Sequence, residues 1–248
     1  MAAFKDLSVT DKYKDEERSS TYGYLSGYEP KSLTEQCNRL RELFPGVGYP
    51  NQDLLAQIEK GEVPLPKGSE GWFAIPNRIK HPQIFGLIYG GAVQKVFNVL
   101  KQTRNGKFHN FREGQLGPEY LRLTARTEKF LADLSEVQGN PDILIVPAQF
   151  GLRHRGRSVR RAREVYVVNE FGFDPFTVGI MLLTHPERLQ NTDDLWIDCG
   201  GAEFSPGADG DFSRAPFFYF HGGRVKFDVG WVLGANELYG SVSGFAPQ

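Results

Sequence analysis

The sequence has only two cysteines in 248 residues, Cys37 and Cys199, and they lie far apart. That excludes a disulfide framework and a cysteine-built zinc site, and it suits a reducing compartment, so a cytoplasmic location is expected. No run of 18 apolar residues occurs. The longest apolar cluster, "TVGIMLL" at 177–183, has the length of a core element, so no membrane partner is expected. The first twenty residues are polar and contain no apolar stretch of the kind a secretory signal needs.

Familiar catalytic and cofactor motifs are missing too. There is no G-x-x-x-x-G-K-[ST] phosphate loop, and "GVGYPN" lacks the third glycine of a dinucleotide fingerprint. "GSVSG" has valine where a nucleophile elbow needs serine. His81, His109, His154, His185 and His221 are never within five residues of one another, so no local zinc pair exists. The acids of "DGD" at 209–211 lack the further ligands of a calcium loop and read as a solvated turn. No cofactor is expected, apart from a divalent cation if the acids considered below converge.

What is present suits a folded protein. Hydrophobic residues make up 40% and aromatics 13%, which places the chain among soluble globular proteins rather than disordered or fibrous ones. Lys plus Arg total 29 against 30 Asp plus Glu. That balance hides a dense block, "FGLRHRGRSVRRAR" at 150–163. It holds Arg153, His154, Arg155, Arg157, Arg160, Arg161 and Arg163, with no acid and no lysine. Setting the six arginines aside leaves 23 basic residues against 30 acidic, a body of charge −7 around one basic spot. Such a body repels a polyanion everywhere else, which favours local, oriented recognition.

The periodicities predict an α+β fold: a helical N-terminal half packed on a mixed β-sheet built mainly from the C-terminal half. Residues 1–30 read as a flexible arm and 31–248 as one globular domain. The arm carries Tyr22, Tyr24 and Tyr28 between small residues, suited to docking on this domain or on a second copy. Ser32 and Glu35 form a capping box ahead of a helix, and a short helix is expected over 53–60. Tyr89, Ala92, Val93, Val96, Phe97 and Leu100 trace one helical face. Pro118 in a first turn, followed by Tyr120, Leu123, Thr127, Phe130, Leu134 and Val137, predicts a second long helix. "WFAIP", "DILIVPAQFG", "EVYVVNEF" and "DLWIDCGG" are strand candidates, and Thr184 with Glu187 reads as another capping box. "DPFTVGIMLL" is a helix apolar on nearly every side, and "FFYFHGGRVKF" is a hairpin turning at Gly222 and Gly223.

Three functional readings remain. The first is a nucleic-acid- or phosphate-binding protein. Whether extended or helical, the arginine block gathers at least four guanidinium groups on one side, and guanidinium forks match phosphate oxygens bidentately. The competing account of the same residues is a buried ion network joining "REVYVV" to "NTDDLWID", or an acidic protein partner. The second reading is a metal-dependent enzyme on a phosphorylated or nucleic-acid substrate, with Asp198 and Glu203 flanking "CGGA" as its acids. Against it, Asp198 can simply cap a turn and Glu203 balance an arginine. The third is an assembly protein that forms homo-oligomers through the tyrosine arm. The sequence leaves open whether any chemistry occurs; where the acids lie relative to the arginines decides most.

Overall fold

Serine at 32 and glutamate at 35 close the first helix as their spacing requires. The Ser32 hydroxyl accepts from the Glu35 amide, and the Glu35 carboxylate accepts from the Ser32 amide at 3.1 Å. In the computed structural model, which describes residues 11–246, the helices are α1 (Leu33–Leu43), α2 (Gln52–Glu59), α3 (Pro82–Phe85), α4 (Tyr89–Thr103), α5 (Ala125–Val137), α6 (Val159–Glu164) and α7 (Pro175–Thr184). The strands are β1 (Gly71–Pro76), β2 (Phe108–Asn110), β3 (Leu121–Leu123), β4 (Ile143–Gln149), β5 (Glu170–Gly172), β6 (Trp196–Asp198), β7 (Ala202–Phe204), β8 (Arg214–His221), β9 (Arg224–Trp231), β10 (Tyr239–Ser241) and β11 (Ser243–Phe245). The α+β class is as expected, with a helical N-terminal half and a strand-rich C-terminal half. The strands form two sheets rather than one.

The smaller sheet is antiparallel in the order β1-β4-β11-β5. Its middle strand β4 is buried along its whole length, which is why its sequence is apolar without alternation. In the larger sheet β8 carries β9 along one edge and β6 and β7 along the other, with β3, β10 and β2 completing it. The β10–β6 and β2–β9 pairs are parallel, so this sheet is mixed. The β8–β9 hairpin closes between His221 and Arg224. Gly222 and Gly223 take φ of 62° and 75°, the two consecutive left-handed positions that a two-residue turn demands. All ten residues of α7 are buried; the helix starts with Pro175 in its first turn and the Asp174 carboxylate accepting from the Thr177 amide at 3.2 Å. It packs between β1 and α4.

Three local expectations are corrected. Pro118 does not open a helix: Leu121–Leu123 is strand β3, and α5 begins after Thr124, whose hydroxyl caps the Thr127 amide. Val137, expected on its inner face, is exposed. "EVYVVNEF" is not a strand over its length, because Glu164 ends α6 and only Glu170–Gly172 pairs as β5. Thr184 caps nothing: its hydroxyl turns back onto the Ile180 and Met181 carbonyls, and a short 3₁₀ turn follows from His185. Among the described residues no helix is long and apolar enough to cross a membrane.

Candidate functional site

The arginine segment is neither extended nor helical throughout. Leu152–His154 is a 3₁₀ turn, Arg155 and Arg157 lie in the link that follows, and Arg160, Arg161 and Arg163 ride on α6, capped by the Ser158 hydroxyl. Six carboxylates converge on it: Asp11, Glu16, Glu17, Glu164, Glu170 and Glu203. Arg160 grips Glu16, and Arg161 reaches Asp11 at 3.0 Å, Glu17 at 2.6 Å and Glu164 at 2.9 Å. Arg157 pairs with Glu17 at 3.3 Å. Arg155 donates to the Tyr22 carbonyl at 3.0 Å, and Arg163 to the Gly200 and Ala202 carbonyls at 2.8 Å each.

Three of these six acids come from the N-terminal arm and none from "NTDDLWID". In that stretch Asp194 spends both oxygens on the Leu25, Gln190 and Asn191 amides. Of the arm expected over 1–30, residues 1–10 lie outside the described residues. Residues 11–30 lie on the domain: Glu17 bridges to Arg157 and Gly23 to Asp194, and Tyr28 is buried with its ring edge-on to Phe150 and His185. Hydrogen bonding from Arg160 holds the Glu16 carboxyl below its usual range, and Arg161 does the same for Glu17.

His154 and Glu170 form a buried pair, with Nε2 2.7 Å from the carboxylate. Arg157 donates to His154 Nδ1 at 3.1 Å, which requires that nitrogen to be unprotonated. Burial pushes the imidazole down in the same direction, so His154 is neutral with its proton on Nε2, donating to Glu170. Burial alone would raise the Glu170 carboxyl, but the hydrogen bonds from His154 and Ser243 and the charge of Arg153 outweigh it and hold it below its usual range.

Arg153 is the exception among the six. Its Nε donates to Glu170 at 3.1 Å, while its two terminal nitrogens have no protein acceptor among the described residues. They face a groove of about 740 Å³ between the proline-rich connector (Val63–Lys67) and the Val167–Asn169 loop, with Trp72 and Phe245 as apolar walls. Lys67 adds a second cation at its rim. Gly68 makes the arrangement possible: a Cβ there would stand 2.5 Å from the Arg153 Nη1, on a backbone with φ of 96°.

Comparison with known protein families, with curated proteins and with solved structures finds no match. The geometry stands alone.

The two acids singled out in sequence are not brought to one site. Glu203 pairs with Arg122 at 2.9 Å and approaches Arg163 at 3.7 Å. Asp198 is buried at the end of β6 and its side chain has no hydrogen-bond partner among the described residues; burial pushes its carboxyl up to about 7, against the pull of Arg163. No group of three or more His, Cys, Asp or Glu side chains that would hold a metal ion occurs among the described residues. Cys199 is buried, and burial pushes its thiol far up, as for a small apolar side chain. The acids of 209–211 form a turn, with Asp209 accepting from Ser205 and the Asp211 amide.

Two residues carry weight that sequence reasoning did not assign. Lys67 sits in a proline-punctuated stretch, "GEVPLPKGSEG", with no motif to single it out. Arg188 is fully buried, stacked over Tyr24 with its guanidinium 4.0 Å from the ring centre and donating to the Phe150 carbonyl. An isolated arginine in "HPERL" gives no signal of that burial. Glu170 accepts from Arg153 Nε at 3.1 Å, and Asn169 lines the same groove.

Proposed function

We propose that the chain binds a phosphate-bearing small molecule, held at its anionic end by Arg153 and Lys67 in the groove between residues 63–67 and 167–169. The observation that supports this reading is the free fork of Arg153. Each of the other five arginines of the segment has a terminal nitrogen bound to a carboxylate or carbonyl, while Arg153 holds Glu170 through Nε, lies over the Phe245 ring and leaves both terminal nitrogens without an acceptor among the described residues, on the wall of the groove. A guanidinium already oriented through Nε by a buried carboxylate loses little freedom on gripping phosphate oxygens. Trp72 and Val168 offer apolar surface to the rest of the ligand, and a groove of this volume accommodates a molecule of nucleotide size.

The test is calorimetric titration of the full chain with inorganic phosphate and with adenosine monophosphate. Arg153→Lys keeps the charge and removes the fork, and should weaken binding about tenfold or more. Arg160→Ala, far from the groove and tied to Glu16, should leave affinity unchanged. Binding of neither probe at millimolar concentration, or equal affinity in the Arg153→Lys chain, sinks the reading.

A further inference from the structure

A second cavity, of about 250 Å³, opens on the face of the larger sheet where β6, β8 and β10 meet. Among the described residues Asp198 is the only charged side chain lining it; Phe217, Tyr239 and Trp231 provide aromatic walls. The register explains the grouping. Asp198 lies directly opposite Phe217 across the β6–β8 pair, and β10 brings Tyr239 alongside, its ring 5.4 Å from that of Phe217 and nearly perpendicular.

Asp198 is only 6% exposed, and no side chain or amide among the described residues donates a hydrogen bond to its carboxyl, which borders the cavity. Arg163 is the nearest cation in the interior, but its nitrogens go to the Gly200 and Ala202 carbonyls and toward Glu203. The hydroxyls of Tyr166 and Ser241, close together beside Gly200, are buried and without a partner among the described residues. A buried acid kept without hydrogen bonds is a cost that a purely structural residue does not carry. The surroundings define what it can receive. Aromatic faces attract cations through the ring quadrupole, and a carboxylate beside them supplies the counter-charge. The Arg214 guanidinium already covers Trp231, and Phe217 and Tyr239, each backed by Trp196, form the aromatic walls on the Asp198 side. Two carboxylates short of a metal site, the cavity selects for a soft, weakly hydrated charge of modest size.

We infer that this cavity binds a small alkylated amine, its ammonium head placed against Phe217 and Tyr239 with Asp198 as counter-ion. The titratable groups facing Asp198 are few. Arg163 comes from α6, Tyr166 follows that helix, Tyr239 comes from β10, and Cys199 is its neighbour. Burial holds Tyr166, Tyr239 and Cys199 neutral, and Asp228, opposite Phe217 on β9, is already paired with Arg112 at 2.7 Å. Asp198 therefore titrates against a background that stays fixed near neutrality.

The experiment compares choline with its uncharged carbon isostere, 3,3-dimethylbutan-1-ol, by calorimetry on the full chain. The native chain should bind choline at least about tenfold more tightly than the isostere, because only the cation uses the carboxylate and the ring faces. Choline affinity should fall by up to about tenfold per pH unit below pH 7, as the proton on Asp198 competes with the ligand. Asp198→Asn, of the same size, should bring choline down to the level of the isostere and abolish the pH dependence. Equal affinity for choline and the isostere in the native chain overturns the inference without reference to any variant. So does the absence of choline binding at millimolar concentration, or an Asp198→Asn chain, folded by circular dichroism, that binds choline as the native chain does.

Discussion

His185 illustrates how a single side chain ties the arm to the core. It is fully buried, accepts from the Lys31 amide through Nε2 at 3.0 Å, and turns Nδ1 toward the Thr184 hydroxyl and the Met181 carbonyl. That pattern needs a neutral ring with its proton on Nδ1. Burial pushes the imidazole down to about 4, only partly offset by Glu187. A basic group whose folded pKa lies below its unfolded value contributes stability that is complete above the unfolded value, about 6.5, and is lost as pH falls from there toward 4. The shift corresponds to about 3 kcal/mol. Urea unfolding of the native chain at pH 7 and pH 4 should show that loss. In His185→Gln, whose amide can accept from Lys31 without titrating, it should be smaller by about the same amount. Parallel pH profiles for the two chains would remove His185 as the cause.

At the level of elements, α4 does the most to hold the larger sheet. Phe97 is 1% exposed and sits among Phe108, Phe218 and Phe227, with ring centres 4.6–5.8 Å away. Phe97→Ala should cost roughly 3–5 kcal/mol in chemical denaturation, and a loss below about 1 kcal/mol would mean the ring is not anchoring the helix. This helix was legible because its apolar residues recur every three to four positions against polar neighbours. So was the β8–β9 hairpin, where two glycines announce the turn. The misreadings share a cause. Tyr120 and Leu123 fit a helical stripe, but Thr124 is the residue whose hydroxyl caps the helix, and three residues upstream pair with β7 instead. A stripe extended by one turn across a cap looks the same in sequence. "VYVV" is β-branched enough for a strand, yet the Arg126 guanidinium takes the Val167 and Val168 carbonyls, and the ladder begins only at Glu170.

At the scale of the whole molecule, the arginine block was conspicuous in sequence and its partners were not, because they lie some 140 residues upstream in a segment whose charges look merely solvated. Local sequence cannot show that Glu16 meets Arg160 or that Glu17 meets Arg161. The pairing has a consequence for any long polyanion. Arg157, Arg160 and Arg161 reach a phosphate backbone only if Asp11, Glu16 and Glu17 leave, so the arm competes with such a ligand for the same guanidinium groups. The full chain should therefore bind a single-stranded oligothymidylate weakly, with little salt dependence. Deleting residues 1–20 removes the three carboxylates and keeps Tyr22, Tyr24 and Tyr28 in place; Arg161 retains Glu164 at 2.9 Å, so the deletion does not strand it. With Arg157 and Arg160 freed of their carboxylates, log affinity for the oligothymidylate should fall with log salt at a slope of about −1.4, taking roughly −0.7 per contact on a single strand. The double variant Glu16→Gln, Glu17→Gln should fall between the two chains, since it weakens the grip without removing the segment. If the shortened chain binds no more tightly than the full one, or the full chain already has that slope, the arm is not what covers the arginines.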